Sequence, residues 1–134
     1  MSVAPADTLP VVSKPRVLVV EDSPGIRRLI EVCLRPETVE MSVAEDGPSG
    51  LEAARRSVPD LLVLDIGLPE MDGWEVLRNL RADEATENLP VLVLTAHAEE
   101  ESRRRATEGG ADGFVTKPFQ PDDFRREVDR LLTD

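Results

Sequence analysis

Five side chains suited to polar chemistry stand at or just after the ends of short apolar runs: Glu21 and Asp22 after Arg16-Val17-Leu18-Val19-Val20, Asp65 after Leu61-Leu62-Val63-Leu64, Thr95 after Val91-Leu92-Val93-Leu94, and Lys117 after Gly113-Phe114-Val115-Thr116. Runs of this length and type are strands buried on both faces, so each polar group is delivered to a strand's carboxyl end, the edge where open α/β sheets bind ligands. If the first, third, fourth and fifth strands are neighbours, the five groups converge. Three carboxylates brought within a few ångströms repel one another unless a cation neutralises them. Oxygen ligands without His or Cys suit a hard cation, and a few carboxylates completed by water suit Mg²⁺ better than a dedicated Ca²⁺ cage. Lys117 adds a compact positive charge and Thr95 a hydroxyl; with the cation, they make a place for a phosphoryl group beside one carboxylate. Taken singly, each acid reads equally well as a solvated loop carboxylate capping the next helix.

The elements that must position these groups alternate along the chain. Ser23-Pro24 opens a first helix whose apolar residues Ile26, Leu29, Ile30, Cys33 and Leu34 share one face, ended by Arg35-Pro36. Residues 39–43 alternate like a strand near a sheet edge. Asp46-Gly47-Pro48 opens a second helix with Leu51, Ala54 and Val58 inward, and Asp72 is placed to cap a third, with Glu75 three residues on and Trp74, Leu77 and Leu80 inside. A fourth helix over residues 98–108 has almost no apolar face beyond Ala98 and Ala106. There, Glu99, Glu100 and Glu101 precede Arg103, Arg104 and Arg105 by four residues, so three ion pairs are expected. That helix is expected to be the most loosely held. Gly109-Gly110 ends it, and Phe124, Val128, Leu131 and Leu132 line a final helix. Five strands alternating with five helices require a doubly wound parallel α/β sheet with helices on both faces.

Composition narrows the function class. The 134 residues suffice for one domain, which at this size buries roughly two-thirds of the surface its unfolded chain exposes. Residues 1–14, with Pro5 and Pro10, read as a flexible leader, and residues 15–134 as the domain. The single cysteine, Cys33, excludes a disulfide framework and a cysteine-based zinc cluster, and reads as a buried inert thiol rather than a redox sensor. The formal net charge of −11 opposes unaided binding to nucleic acid or an anionic membrane. With no membrane-length apolar run and no signal peptide, the expected location is cytoplasmic.

Glu21-Asp22, the loop Asp65-Ile66-Gly67-Leu68-Pro69-Glu70-Met71-Asp72-Gly73, Thr95-Ala96 and Lys117-Pro118, each in order after its strand, resemble the receiver domain of two-component response regulators, and in particular single-domain regulators of the chemotaxis type. The resemblance implies a flavodoxin-like receiver fold and a phosphorylation-dependent switch. It makes Asp65 the phospho-acceptor, charged by a sensor histidine kinase or histidine phosphotransfer protein. It implies Mg²⁺ held by Glu21, Asp22, Asp65 and the main-chain carbonyl of Gly67, with Thr95 and Lys117 on the phosphoryl oxygens. Phe114 matches the aromatic position whose rotamer follows activation, and lacking a hydroxyl it would act by packing alone. Gly67 and His97 stand two residues after Asp65 and Thr95, where the family modulates the lifetime of the phosphoryl group. The partners implied are the phosphodonor and an unknown downstream protein, reached through the fourth helix, last strand and last helix. The protein is expected to be a monomer or a weak phosphorylation-dependent dimer, catalysing only its own phosphorylation and dephosphorylation.

Plainer readings stand beside these. His97 reads as a surface loop residue, Trp74 as packing, Phe114 as simple core, and the Glu/Arg helix as a solvated face. Two rival functions also fit an acceptor aspartate: a phosphatase with an aspartyl-phosphate intermediate, and a non-phosphorylated scaffold. The phosphatase class wants a second acid two residues after the nucleophile, and here that residue is Gly67. A scaffold would have lost an acid or the lysine, and none is missing.

Overall fold

A computed structural model describes residues 14–34, 38–68, 71–96 and 100–133. The elements run β1 (Arg16–Val20), α1 (Pro24–Leu34), β2 (Glu40–Ala44), α2 (Gly47–Arg56), β3 (Leu61–Asp65), α3 (Gly73–Ala82), β4 (Val91–Thr95), α4 (Glu100–Glu108), β5 (Gly113–Thr116) and α5 (Pro121–Thr133). All strand pairs are parallel and the sheet order is β2-β1-β3-β4-β5. The order reverses at β1, beside β3, which makes the β1/β3 carboxyl ends the crevice where a doubly wound sheet takes a ligand.

Alternation along the strands builds two cores. Val17, Val19, Leu61, Val63, Leu92 and Leu94 point to one face with Ile30, Cys33, Phe124, Val128 and Leu131 of α1 and α5. Leu18, Val20, Leu62, Leu64, Val91 and Val93 point to the other with Leu51, Ala54, Val76, Leu77 and Leu80 of α2 and α3. The central strands β3 and β4 are buried throughout, and edge strand β2 is buried only at Ala44.

Local chemistry sets the helix starts. Asp46 and Asp72 take extended backbone and accept from the amides of Ser49 and Glu75, so that Asp46 caps α2 where that helix was expected to open and Asp72 caps α3 as expected. Gly73 lets α3 begin against the active edge: a Cβ there would stand 2.6 Å from both the Asp65 carbonyl oxygen and the Ile66 Cα. Its amide donates to the Ile66 carbonyl at 3.0 Å, closing the loop that starts at Asp65.

Three expectations are corrected. Val58 is exposed, because α2 ends at Arg56 and the chain turns outward before Pro59. The second strand starts at Glu40, with Val39 buried ahead of it. In α4, Arg104 pairs with Glu101 one turn away, while Arg103 and Arg105 lie 4.7 Å from the ring centroids of Phe114 and Trp74. At Arg105 an aromatic face within reach displaces the solvated i,i+4 pairing with Glu101, which is worth only a few tenths of a kcal/mol, and Arg104 pairs with that Glu101 rather than with Glu100. The remaining pair, Glu99 with Arg103, lies partly outside the described residues, as do Ala98, Pro69, Glu70, Arg35, Pro36 and the first thirteen residues of the leader.

Candidate functional site

The β1, β3, β4 and β5 ends meet as their adjacency requires. Asp65 is the last residue of β3 and 2% exposed; Glu21, just beyond β1, is fully buried, Thr95 closes β4 at 3% exposure, and Asp22 is exposed. A carboxylate oxygen from each of Glu21, Asp22 and Asp65 lies within 4.8 Å of the others. Lys117 reaches in from beyond β5, its Nζ 3.0 Å from Asp65 Oδ1 and 3.8 Å from Glu21 Oε1. The Lys117 amide donates to the Thr95 carbonyl at 2.7 Å, and the following Lys117–Pro118 peptide is cis. Beyond it Phe119 is buried and stacks on Phe124, ring centroids 4.8 Å apart, so the segment carrying the lysine is anchored in the core.

Asp65 is oriented as well as placed. Its Oδ1 accepts from the Gly67 amide and from Lys117, both at 3.0 Å. Gly67 itself is exposed, and an added Cβ would lie 3.9 Å from Asp65 Oδ1, so no side chain stands between this oxygen and solvent on that side. Glu21 is held less fully. Its Oε2 accepts from the Ser23 amide at 3.2 Å, but its buried Oε1 has no hydrogen-bond partner among the described residues. Burial, then contact with and repulsion by the Asp65 carboxyl, push Glu21 up from an ordinary 4.5 to about 7, against the pull of the Ser23 amide and Lys117.

An orphaned buried carboxylate oxygen facing two further carboxylates fits a divalent cation on chemical grounds: all donors are hard oxygens, and the partly exposed Asp22 leaves room for water in the shell. On the β5 side the Lys117 ammonium is the positive charge at this edge, 3.0 Å from Asp65, and the buried Thr95 closes the strand next to Asp65.

The structure thus brings together Glu21, Asp22, Asp65, Thr95 and Lys117, with Gly67 beside them. Phe114 stands apart on β5, half-buried, opposite Val93 in the register and beneath Arg103. His97 lies outside the described residues. Sequence reasoning missed the Ser23 amide on Glu21 and the two arginine–aromatic stacks. The first has no signal, since any backbone amide would do; for the second, three adjacent arginines on a helix with hardly any apolar face call for partners without naming them.

Comparison with known proteins agrees with this geometry. The family described as response regulator receiver domain matches residues 17–129. The chain is 37% identical over 118 residues to the DNA-binding dual master transcriptional regulator RpaA of Synechocystis sp., a match covering 88% of this chain and 49% of that protein. The chain therefore spans about half the length of that curated relative. Among solved structures, the chemotaxis protein CheY4 of Vibrio cholerae superposes with a TM-score of 0.83 at 29% identity, covering 90% of this chain and 100% of that one. The receiver domain of a sensor histidine kinase from Pseudomonas aeruginosa, solved with magnesium coordinated in its active site cleft, gives the same TM-score and identity over 91% of this chain and 100% of that one.

Proposed function

Because this chain belongs to the response regulator receiver domain family, we propose that it is a phosphorylation-dependent signalling switch in which Asp65 accepts a phosphoryl group from the phosphohistidine of a sensor kinase or phosphotransfer protein. The observation that carries the assignment is the buried Asp65 carboxylate bonded to Lys117 at 3.0 Å beside Glu21 and Asp22, with the buried Thr95 ending the neighbouring strand. Oδ1 is fixed by Lys117 and the Gly67 amide, so Oδ2 is the oxygen presented to phosphorus. The O–P bond forms as the N–P bond of the donor breaks and the imidazole departs. Lys117 then turns from the carboxylate to a phosphoryl oxygen, and Thr95 donates its hydroxyl to another. Glu21, Asp22, Asp65 and the Gly67 carbonyl would hold Mg²⁺, which would supply the charge neutralisation that lets two anions meet. Water later cleaves the acyl phosphate at the same edge, with Gly67 leaving one approach open. Movement of Thr95 toward the phosphoryl group frees space for Phe114, and the altered face of α4, β5 and α5 meets a downstream protein.

The test is intact mass after incubation with Mg²⁺ and acetyl phosphate or phosphoramidate. One added phosphoryl group on the wild type, absent from Asp65→Asn, is the expected result. A wild-type protein that stays unmodified across a broad range of pH and Mg²⁺ concentration overturns the assignment.

A further inference from the structure

Helix α4 is poorly buried for an element of its length: of Glu100–Glu108, only Ala106 is buried. An isolated nine-residue helix is not stable in water, so contacts with the rest of the domain must hold it. Two such contacts are made by arginines two positions apart. The Arg103 guanidinium lies 4.7 Å from the centroid of the Phe114 ring on β5, and the Arg105 guanidinium 4.7 Å from the centroid of Trp74 on α3. Residues i and i+2 point roughly 200° apart around a helix. The two stacks therefore grip α4 from opposite flanks, one toward the strand and one toward the neighbouring helix, while Arg104 between them pairs outward with Glu101. Beyond the helix, the Ala111 and Gly110 amides donate to the Ala106 and Thr107 carbonyls, fixing its C-terminal end but not its body.

We propose that Arg103 and Arg105 are positioning residues that hold α4 on the domain by stacking on Phe114 and Trp74, and that this hold sets the threshold which phosphorylation must overcome to shift the helix. The second half rests on the phosphorylation reading above; the first stands without it. Phe114 cannot leave its half-buried place without giving up the Arg103 stack, so the ring assigned to the switch and the helix assigned to the output surface are joined by a single guanidinium. The Arg105 stack keeps the other flank docked and resists full release.

The unique tryptophan makes the arrangement readable. Arg103→Met, Arg105→Met and the double variant are compared with the corresponding lysine variants by amide hydrogen exchange of residues 100–108 and by Trp74 emission, first in the unphosphorylated protein. A methionine keeps an apolar stem and removes the charge, whereas lysine keeps the charge. Each methionine variant is expected to speed exchange of α4 about two- to fivefold, the range an exposed cation–π contact supports, with the two factors multiplying in the double variant. Lysine variants should fall between methionine and wild type, and only substitutions at Arg105 should change the Trp74 spectrum. Unchanged exchange in the double methionine variant, or lysine variants as fast as methionine ones, overturns the hold. The same proteins are then treated with Mg²⁺ and acetyl phosphate. Absence of an adduct on the wild type defeats the phosphorylation reading and, with it, the threshold, but leaves the hold decided by the first measurement. Where the adduct forms, it should speed α4 exchange in the wild type and much less in the double methionine variant. An equal increase in both shows that the stacks are not the threshold.

Discussion

A carboxyl group with no exposed surface, pressed against a second one, answers to pH in a direction opposite to most protein acids. Glu21 stands near 7 in the folded protein against an ordinary 4.5. Between those values the folded chain keeps a proton that the unfolded chain has released, so this group's contribution to stability is whole below about pH 4.5 and is lost as pH rises through about 7. The metal-free protein should accordingly lose denaturant resistance over that interval, and Glu21→Gln should flatten the loss; a wild-type curve already flat there would contradict the assigned environment. Residues like Glu21, Asp65 and Lys117 were legible from sequence because ionisable groups rarely close apolar strands without a use. The pairing of Arg103 and Arg105 was not. Helical spacing offers glutamates four residues away, and nothing local reveals that Trp74 and Phe114, far off in sequence, present ring faces to the same helix.

At the scale of elements, the strand pattern carried the fold, since β1, β3 and β4 are continuous apolar runs, and their burial follows directly. Helix ends were legible where a capping acid marks them, as at Asp46 and Asp72. Close backbone approaches were not, because a glycine in a loop reads as flexibility until its neighbours are known. Gly73 shows the difference: its missing side chain is what allows α3 to start against the Asp65–Ile66 backbone. Gly73→Ala must push that backbone aside, at a cost on the order of 1–3 kcal/mol. Chemical denaturation should show the loss, and the rate of adduct formation at Asp65 should fall with it. A second unannounced element-scale device is Arg81, whose guanidinium donates to the carbonyls of Gly110, Thr86 and Glu87 and to Asp112 Oδ2. It ties the end of α3 to the loops before β4 and β5, and Gly110 accommodates it with a φ of 95°. Arg81→Met strips several carbonyls of their donor at once and should cost about 2–4 kcal/mol, measurable as a lowered denaturation midpoint without loss of phosphorylation under native conditions.

For the whole molecule the governing quantity is charge. A chain of net charge −11 gathers three acids at one sheet edge, so its site is an electrostatic liability until something positive enters it. Lys117 answers part of that charge, and the Glu21 Oε1 atom is left without a hydrogen-bond partner among the described residues. A cation that binds only the folded form therefore stabilises the entire domain by mass action, about 1.4 kcal/mol at ten times its dissociation constant. In a chain of this size that is a rise of roughly 5 °C in Tm. Protons compete for the same oxygens, and Glu21 keeps its proton up to about pH 7. The Mg²⁺-induced rise should consequently be large well above neutrality and shrink in mild acid. Asp65→Asn, which removes a charge the cation needs, should blunt it at both. Sodium chloride at matched ionic strength screens the whole surface without entering the site, and if it reproduces the shift at either pH, the acidic edge is not where Mg²⁺ acts.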